Sequence, residues 1–252
     1  MSGHVYGYVV MGNEVDRYLQ SFMKNLMLTV DATFVFDDQS SDGSADLVRS
    51  FANVIYCRRD DSTPTFLEHE GRFRHASWVQ FQRYVGPRTD DWVLAIDADE
   101  VLVGPDVCRP CELGDVIRRA DQTGVVLLDR PEVWDLDPIG WPLVRKDGAW
   151  GNIRCTRLFR YRPGGQIKDV PFACGSEPDY VAKQRPIDGA PLQLLHYGYC
   201  DSPEDRQAHY ANYSVRSGHN PMHIRSMIDP NPRLERWSGL LAPTMKRGRD
   251  RG

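Results

Sequence analysis

The chain has 252 residues, 41% of them apolar, which suits one sizeable domain with a single substantial core. A formal net charge of −4 gives no ground to expect nucleic acid or an anionic membrane as partner. No apolar run approaches the roughly 20 residues of a membrane helix, and Ser2-Gly3-His4 leads into Val5 without a basic leader, so a cytoplasmic protein is expected.

Val5–Val10 reads as a first strand. Asn13 suits a helix N-cap, with Glu14 and Asp16 in the first turn, and Val15, Leu19, Phe22, Met23, Leu26 and Met27 follow at helical spacing. Thr33–Phe36 is a second strand, closed by Asp37-Asp38-Gln39-Ser40-Ser41-Asp42-Gly43-Ser44. Next come a helix with Ala45, Val48, Phe51 and Ala52 on one face and a third strand at Val54–Tyr56. A polar connection from Arg58 to Glu70 leads to a helix carrying Trp78, Phe81 and Val85. The apolar run Trp92–Ile96 is a fourth strand, ending on Asp97, Asp99 and Glu100. Leu113, Val116, Ile117 and Ala120 mark another helix, and Gly124–Leu128 a fifth strand. The alternation predicts an α/β fold with a mostly parallel, Rossmann-like sheet flanked by helices. Such sheets bind ligands at the carboxyl ends of their strands, where both acidic clusters fall.

After about Asp129 the pattern loosens. Trp134, Trp141 and Trp150 lie among Pro, Gly and Asp with no helical period; they pack an irregular lobe or stack on a sugar ring, packing being favoured. Arg157–Tyr161 and Gln166-Ile167, joined through Pro163-Gly164-Gly165, predict a hairpin. Leu192–Tyr197 reads as a strand, and Ser202-Pro203-Glu204-Asp205 as the start of a helix. Without repeats or a clear linker, one domain over 1–252 is expected, ending in a mobile basic tail over 241–252. The 6 cysteines are scattered; the close pair Cys108 and Cys111 lacks the second pair of a zinc site, so reduced structural thiols are expected.

Side chains alternate along a strand, so Asp97 and Asp99 are expected to point the same way. Two such carboxylates repel unless something positive lies between them. A divalent cation held through oxygen is one remedy and leaves positions for phosphate oxygens; acids that are merely solvated or cap a helix are the plainer alternative. Asp37 and Asp38 pose a similar question, since a fixed carboxylate accepts from base N–H groups and ribose hydroxyls. Turn and cap chemistry accounts for Asp42, Gly43 and Ser44.

Asp37–Ser44 resembles the DDxSxDGS/T motif of family 2 glycosyltransferases, and Asp97-Ala98-Asp99-Glu100 their DxD motif. Val9–Glu14 with Tyr18-Leu19 is similar to the family's first strand and helix; the likeness runs to about Pro105 and continues loosely through Arg157–Arg160 and His196–Tyr199. The resemblance implies a GT-A fold, with a nucleotide-sugar-binding half over 1–129 and an acceptor-side half over 130–240. It also implies a UDP- or GDP-linked donor, a divalent cation, and inverting transfer to a glycan, lipid or protein hydroxyl.

Carried over by position, Asp38 would contact the nucleobase, Asp97 the ribose or donor sugar, and Asp99 the metal, with Val10 also at the donor. Arg74 would face the donor, or else be an exposed helix charge. His196 would be a further metal ligand, favouring Mn²⁺ over Mg²⁺ because imidazole suits it better, or else a buried histidine bonded to backbone. Tyr197 and Tyr199 would line the donor pocket. The base would be Glu177, preceded by Ser176 where relatives carry histidine, with Asp179 the nearest rival and Asp169 a weaker one. Alternatives are a binding module without turnover and a nucleotidyltransferase, although Val9–Glu14 lacks the latter's basic Gly-rich loop. Oligomeric state is not legible.

Overall fold

The computed structural model describes residues 3–104, 110–151, 153–172, 175–200, 202–214, 225–229 and 231–238. Its main sheet has the order β3-β2-β1-β4-β9-β6-β10-β5. Those strands are β1 (Val5–Met11), β2 (Ala32–Asp37), β3 (Val54–Arg58), β4 (Trp92–Asp97), β5 (Glu100–Val103), β6 (Val125–Asp129), β9 (Arg154–Arg160) and β10 (Ile187–His196). β3, β2, β1 and β4 pair in parallel, as do β6 and β10. The fold is the expected α/β type, a large, mostly parallel Rossmann-like sheet flanked by helices.

The alternation of side chains explains the two cores. From β1, Val9 joins one face and Tyr8 and Val10 the other; from β4, Leu94 and Ile96 pack opposite Val93 and Ala95. The first face is covered by α1 (Leu19–Leu26), α2 (Ser44–Arg49) and α4 (Pro110–Arg119), through Leu19, Phe22, Met23, Val48, Val116 and Ile117. The second is covered by α3 (Glu70–Val85), whose Phe73, Trp78 and Phe81 are all but inaccessible. Burying side chains of that size stabilises the fold by roughly 1.5–3 kcal/mol each. α3 begins where His69 Nδ1 accepts from the Arg72 amide, and stops at Gly86, whose φ of 62° is left-handed. α5 (Pro203–Ser214) starts at the expected proline.

Three expectations need correction. Asn13 does not cap α1, which begins six residues later at Leu19. Asn13 has φ of 57°, and its Oδ1 accepts from the Ser41 amide, so it ties the loop after β1 to the loop after β2. The predicted hairpin is not formed: β9 enters the main sheet antiparallel between β4 and β6, and Gln166-Ile167 is no strand. Pairing partners far apart in sequence decided this, and local turn chemistry cannot see them. The segment expected to be irregular holds a small antiparallel sheet of β7 (Val133–Leu136), β8 (Pro142–Arg145) and β11 (Leu234–Arg236). Cys108 and the basic tail lie outside the described residues, while Cys57, Cys155 and Cys200 are free thiols.

Candidate active site

The carboxyl ends of β1, β2 and β4 open onto a cleft of about 700 Å³, lined by Val10, Asp38, Asp97 and Asp99 among others. From elsewhere in the chain Arg74, Arg130, Arg157, Glu177, His196 and Tyr199 reach the same space. The two acidic clusters, distant in sequence, therefore face one cavity.

Much of the Asp37–Ser44 segment is architecture. Asp37 is buried and accepts from Tyr56 Oη at 2.5 Å and from the Ser40 amide at 3.1 Å. Asp42 accepts from the Ser44 amide and hydroxyl at 3.0 and 2.6 Å, and Gly43 between them has φ of 92°, which glycine adopts without strain. Asp38 accepts from Arg59 Nε at 2.5 Å with Oδ1 and from the Phe66 amide at 2.9 Å with Oδ2. It thus fixes the connection that carries Phe66 and Leu67 into the cleft wall.

Asp97 is the hub of a buried ion-pair chain. Arg74 donates to both its oxygens at 2.9 and 3.2 Å, and Arg157 Nη2 lies 3.3 Å from Oδ2. Arg74 also donates to Glu70 at 3.0 Å and to Ser176 Oγ at 2.5 Å. It is 3% exposed, which excludes the solvated helix charge. Burial alone would raise the Asp97 carboxyl, but the Arg74 and Arg157 guanidiniums reverse this and hold it well below the usual carboxylate range. The chain continues from Arg157 to Glu100 at 3.2 Å, from Glu100 to Arg130 at 3.3 Å, and from Arg130 to Glu132 at 2.9 Å. Glu132 Oε2 is bonded to His196 Nδ1. Glu70, Arg130 and Glu132 were not singled out from sequence, and Glu100 only as the third acid after the fourth strand; a charge followed by an apolar strand partner looks the same whether it is buried or solvated.

Asp99 departs from strand alternation, because β4 ends at Asp97 and Asp99 sits in the turn before β5. Its Oδ2 lies 3.7 Å from His196 Nε2 and 4.0 Å from Arg17 Nη1. Burial would lower the imidazole pKa, but Glu132 and then Asp99 outweigh it and raise it above its ordinary value. Gly198 borders this pair: a Cβ built there would lie 2.5 Å from His196 Nε2 and 3.0 Å from Asp99 Oδ2. A side chain at 198 would fill the space both groups face. One carboxylate oxygen and one imidazole nitrogen form a donor set that suits a divalent transition metal. Among the described residues no group of three or more His, Cys, Asp or Glu side chains is arranged to hold an ion, so substrate oxygens or water would complete the shell.

No protein-family model and no curated protein matches the sequence. Among solved structures, 4-diphosphocytidyl-2C-methyl-D-erythritol synthase aligns at 12% identity over 64% of this chain and 76% of its own, with a TM-score of 0.40. That likeness is too remote to carry an argument.

The remaining candidates divide. Glu177 lines the cleft, with Oε2 3.8 Å from Arg157 Nη1. Asp179 does not reach it: it accepts from Lys183 Nζ at 2.8 Å and from the Gln166 amide at 3.1 Å, beside a separate hollow of about 450 Å³. Asp169 borders that hollow too, paired with Arg72 at 3.1 Å. Of the two expected tyrosines, Tyr197 is corrected to a core residue, fully buried against Tyr18, while Tyr199 lines the cleft. Trp134 and Trp150 pack on each other and on Tyr199, and Trp141 on Trp237, as the packing alternative expects. No described helix is long and apolar enough to cross a membrane.

Proposed function

We propose that this chain is a metal-dependent glycosyltransferase of the GT-A type, moving a sugar with inversion from a UDP- or GDP-linked donor to a hydroxyl of a glycan, lipid or protein. The observation that carries the reading is the convergence of Asp38, Asp97, Asp99, His196 and Glu177 on one cleft at the carboxyl ends of a mostly parallel sheet. A cavity of about 700 Å³ is in the range of small-molecule sites and has room for a nucleotide sugar.

Each residue has a task in this reading. Val10 and the Asp38-anchored wall form the nucleoside slot. Asp97, kept ionised by its arginines, accepts hydrogen bonds from ribose or donor-sugar hydroxyls with its open edge; its side chain is 26% exposed. Asp99 and His196 hold a divalent cation, Mn²⁺ in preference to Mg²⁺ because of the imidazole. When bound, that cation supplies charge neutralisation for the diphosphate leaving group. Arg74 and Arg157 add fixed positive charge behind the donor, and Glu177 accepts the proton of the attacking acceptor hydroxyl.

Thermal melting with UDP and GDP, with and without Mn²⁺, tests the site. Metal-dependent stabilisation is expected in the native chain and none in Asp99→Ala; equal shifts in both would refute the metal role. Product analysis with a panel of nucleotide sugars then separates transfer from binding alone.

A further inference from the structure

The same pairing that delivers His196 to the cleft delivers a buried carboxylate behind it. Glu132 follows β6 and forms an isolated parallel bridge with His196, whose amide donates to Pro131 O at 3.0 Å. Glu132 is wholly inaccessible. Its Oε1 accepts from Arg130 Nε at 3.0 Å, Arg130 Nη2 is 2.9 Å away, and Oε2 is bonded to His196 Nδ1. A buried carboxylate without such partners would cost several kcal/mol, so this one is tightly specified. A carboxylate on one ring nitrogen fixes the imidazole proton there and leaves the lone pair of the other nitrogen facing away. Here the free nitrogen is Nε2, which faces Asp99 Oδ2 at 3.7 Å across the space left by Gly198.

We infer that Glu132 is a positioning residue: it fixes His196 with Nε2 bared toward Asp99, and so sets the affinity of that pair for a divalent cation. The inference rests on the metal-dependent reading above and extends it to a residue that touches no ligand. Arg130 braces Glu132 from behind and links it to Glu100, so the imidazole is oriented by the same ion-pair chain that holds Asp97.

Titration of the full chain with Mn²⁺ alone, followed by the electron paramagnetic resonance of the free ion, tests this. Asp99→Ala is expected to abolish binding, and Glu132→Gln and Glu132→Ala to weaken it about 10–100-fold. In a His196→Ala background, Glu132→Ala is expected to add nothing, because its effect passes through the imidazole. Glu132→Gln keeps the volume and an acceptor oxygen, so it preserves the fold should Glu132→Ala not. Unchanged affinity in the Gln variant, or an equal loss with and without His196, overturns the inference.

A metal-free readout accompanies it. Long-range ¹⁵N correlation spectra, recorded where His196 is neutral, should show an Nδ1–H imidazole in the native chain and its loss in both Glu132→Gln and Glu132→Ala, because in the Gln variant Arg130 holds the single amide oxygen and the NH2 group faces Nδ1. An Nε2–H imidazole in the native chain overturns the positioning role. Absence of any Mn²⁺ binding removed by Asp99→Ala overturns the metal-dependent reading instead, whatever the spectra show.

Discussion

Asp97 and Asp99 stand two residues apart at the end of one strand, and the protein treats them differently. Asp97 is gripped by Arg74 through both oxygens and touched by Arg157, inside a chain of ion pairs that runs back to Glu70 and forward to Glu100. Asp99 has looser company, His196 at 3.7 Å and Arg17 at 4.0 Å, and its open side faces the cleft. The repulsion expected between neighbouring carboxylates is thus answered internally on one side only. A saturated carboxylate stiffens the floor of the cleft, whereas an unsaturated one keeps its capacity for a charge that arrives with a ligand.

The largest expected effect breaks the saturated side. Arg157→Ala leaves Glu100 and Asp97 short of a buried partner and should cost about 3–5 kcal/mol in urea unfolding, a large share of a typical 5–15 kcal/mol total. A loss below about 1 kcal/mol would mean that the chain is solvated and the contrast is false. Glu177→Gln should leave nucleotide-induced stabilisation intact and reduce transfer about 10²–10⁴-fold; full transfer would move the base elsewhere. Asp99→Ala should change unfolding by under about 1 kcal/mol while removing the Mn²⁺-dependent thermal shift, the inverse of the Arg157 result.

Acidity sharpens the same contrast, because the two sides fail at opposite ends of the pH scale. Asp97 has a depressed carboxyl, so its contribution is present above the unfolded value near ~3.9 and is lost as pH falls through the folded value. His196 has a raised imidazole, so its contribution is present below the unfolded value near ~6.5 and is lost as pH rises through the folded value. In metal-free protein, Asp97→Asn should flatten the acid loss and His196→Gln the alkaline loss; a variant that flattens the other limb would reverse the assignment. The smallest effect is expected from Asp179→Asn, which lies beside the other hollow and should transfer sugar at the native rate.

What the sequence disclosed follows the range over which its signals act. β1, β2, β3 and β4 were legible because each is a short apolar run bounded by turn formers, and α3 and α4 because of their periodic apolar faces. Asp38, Asp97 and Asp99 were legible because carboxylates at the ends of buried strands are out of place unless they do something. His196 was visible on similar grounds, but Glu132 was not: its meaning comes from a bridge to a residue 64 positions away. Arg157 stood out only as part of a predicted hairpin and of the looser family likeness, with no role attached. Its burial depends on β9 entering between β4 and β6, a pairing no local pattern announces. Asn13 misled because a residue good at capping helices is equally good at holding a left-handed turn.

β9 is the seam between the β3-β2-β1-β4 block and the β6-β10-β5 block, and it runs antiparallel to both of its neighbours. Leu158 sends its side chain to one core and Phe159 to the other, and Arg157, on the Phe159 side, meets Asp97 from one block and Glu177 from beyond the strand. A slip of one residue along this seam would swap those faces and carry the guanidinium away from the cleft. The two halves are therefore not modules to be exchanged at a convenient loop: a chimera that trades the C-terminal half of this protein for another has to import a β9 whose arginine lands in the same register.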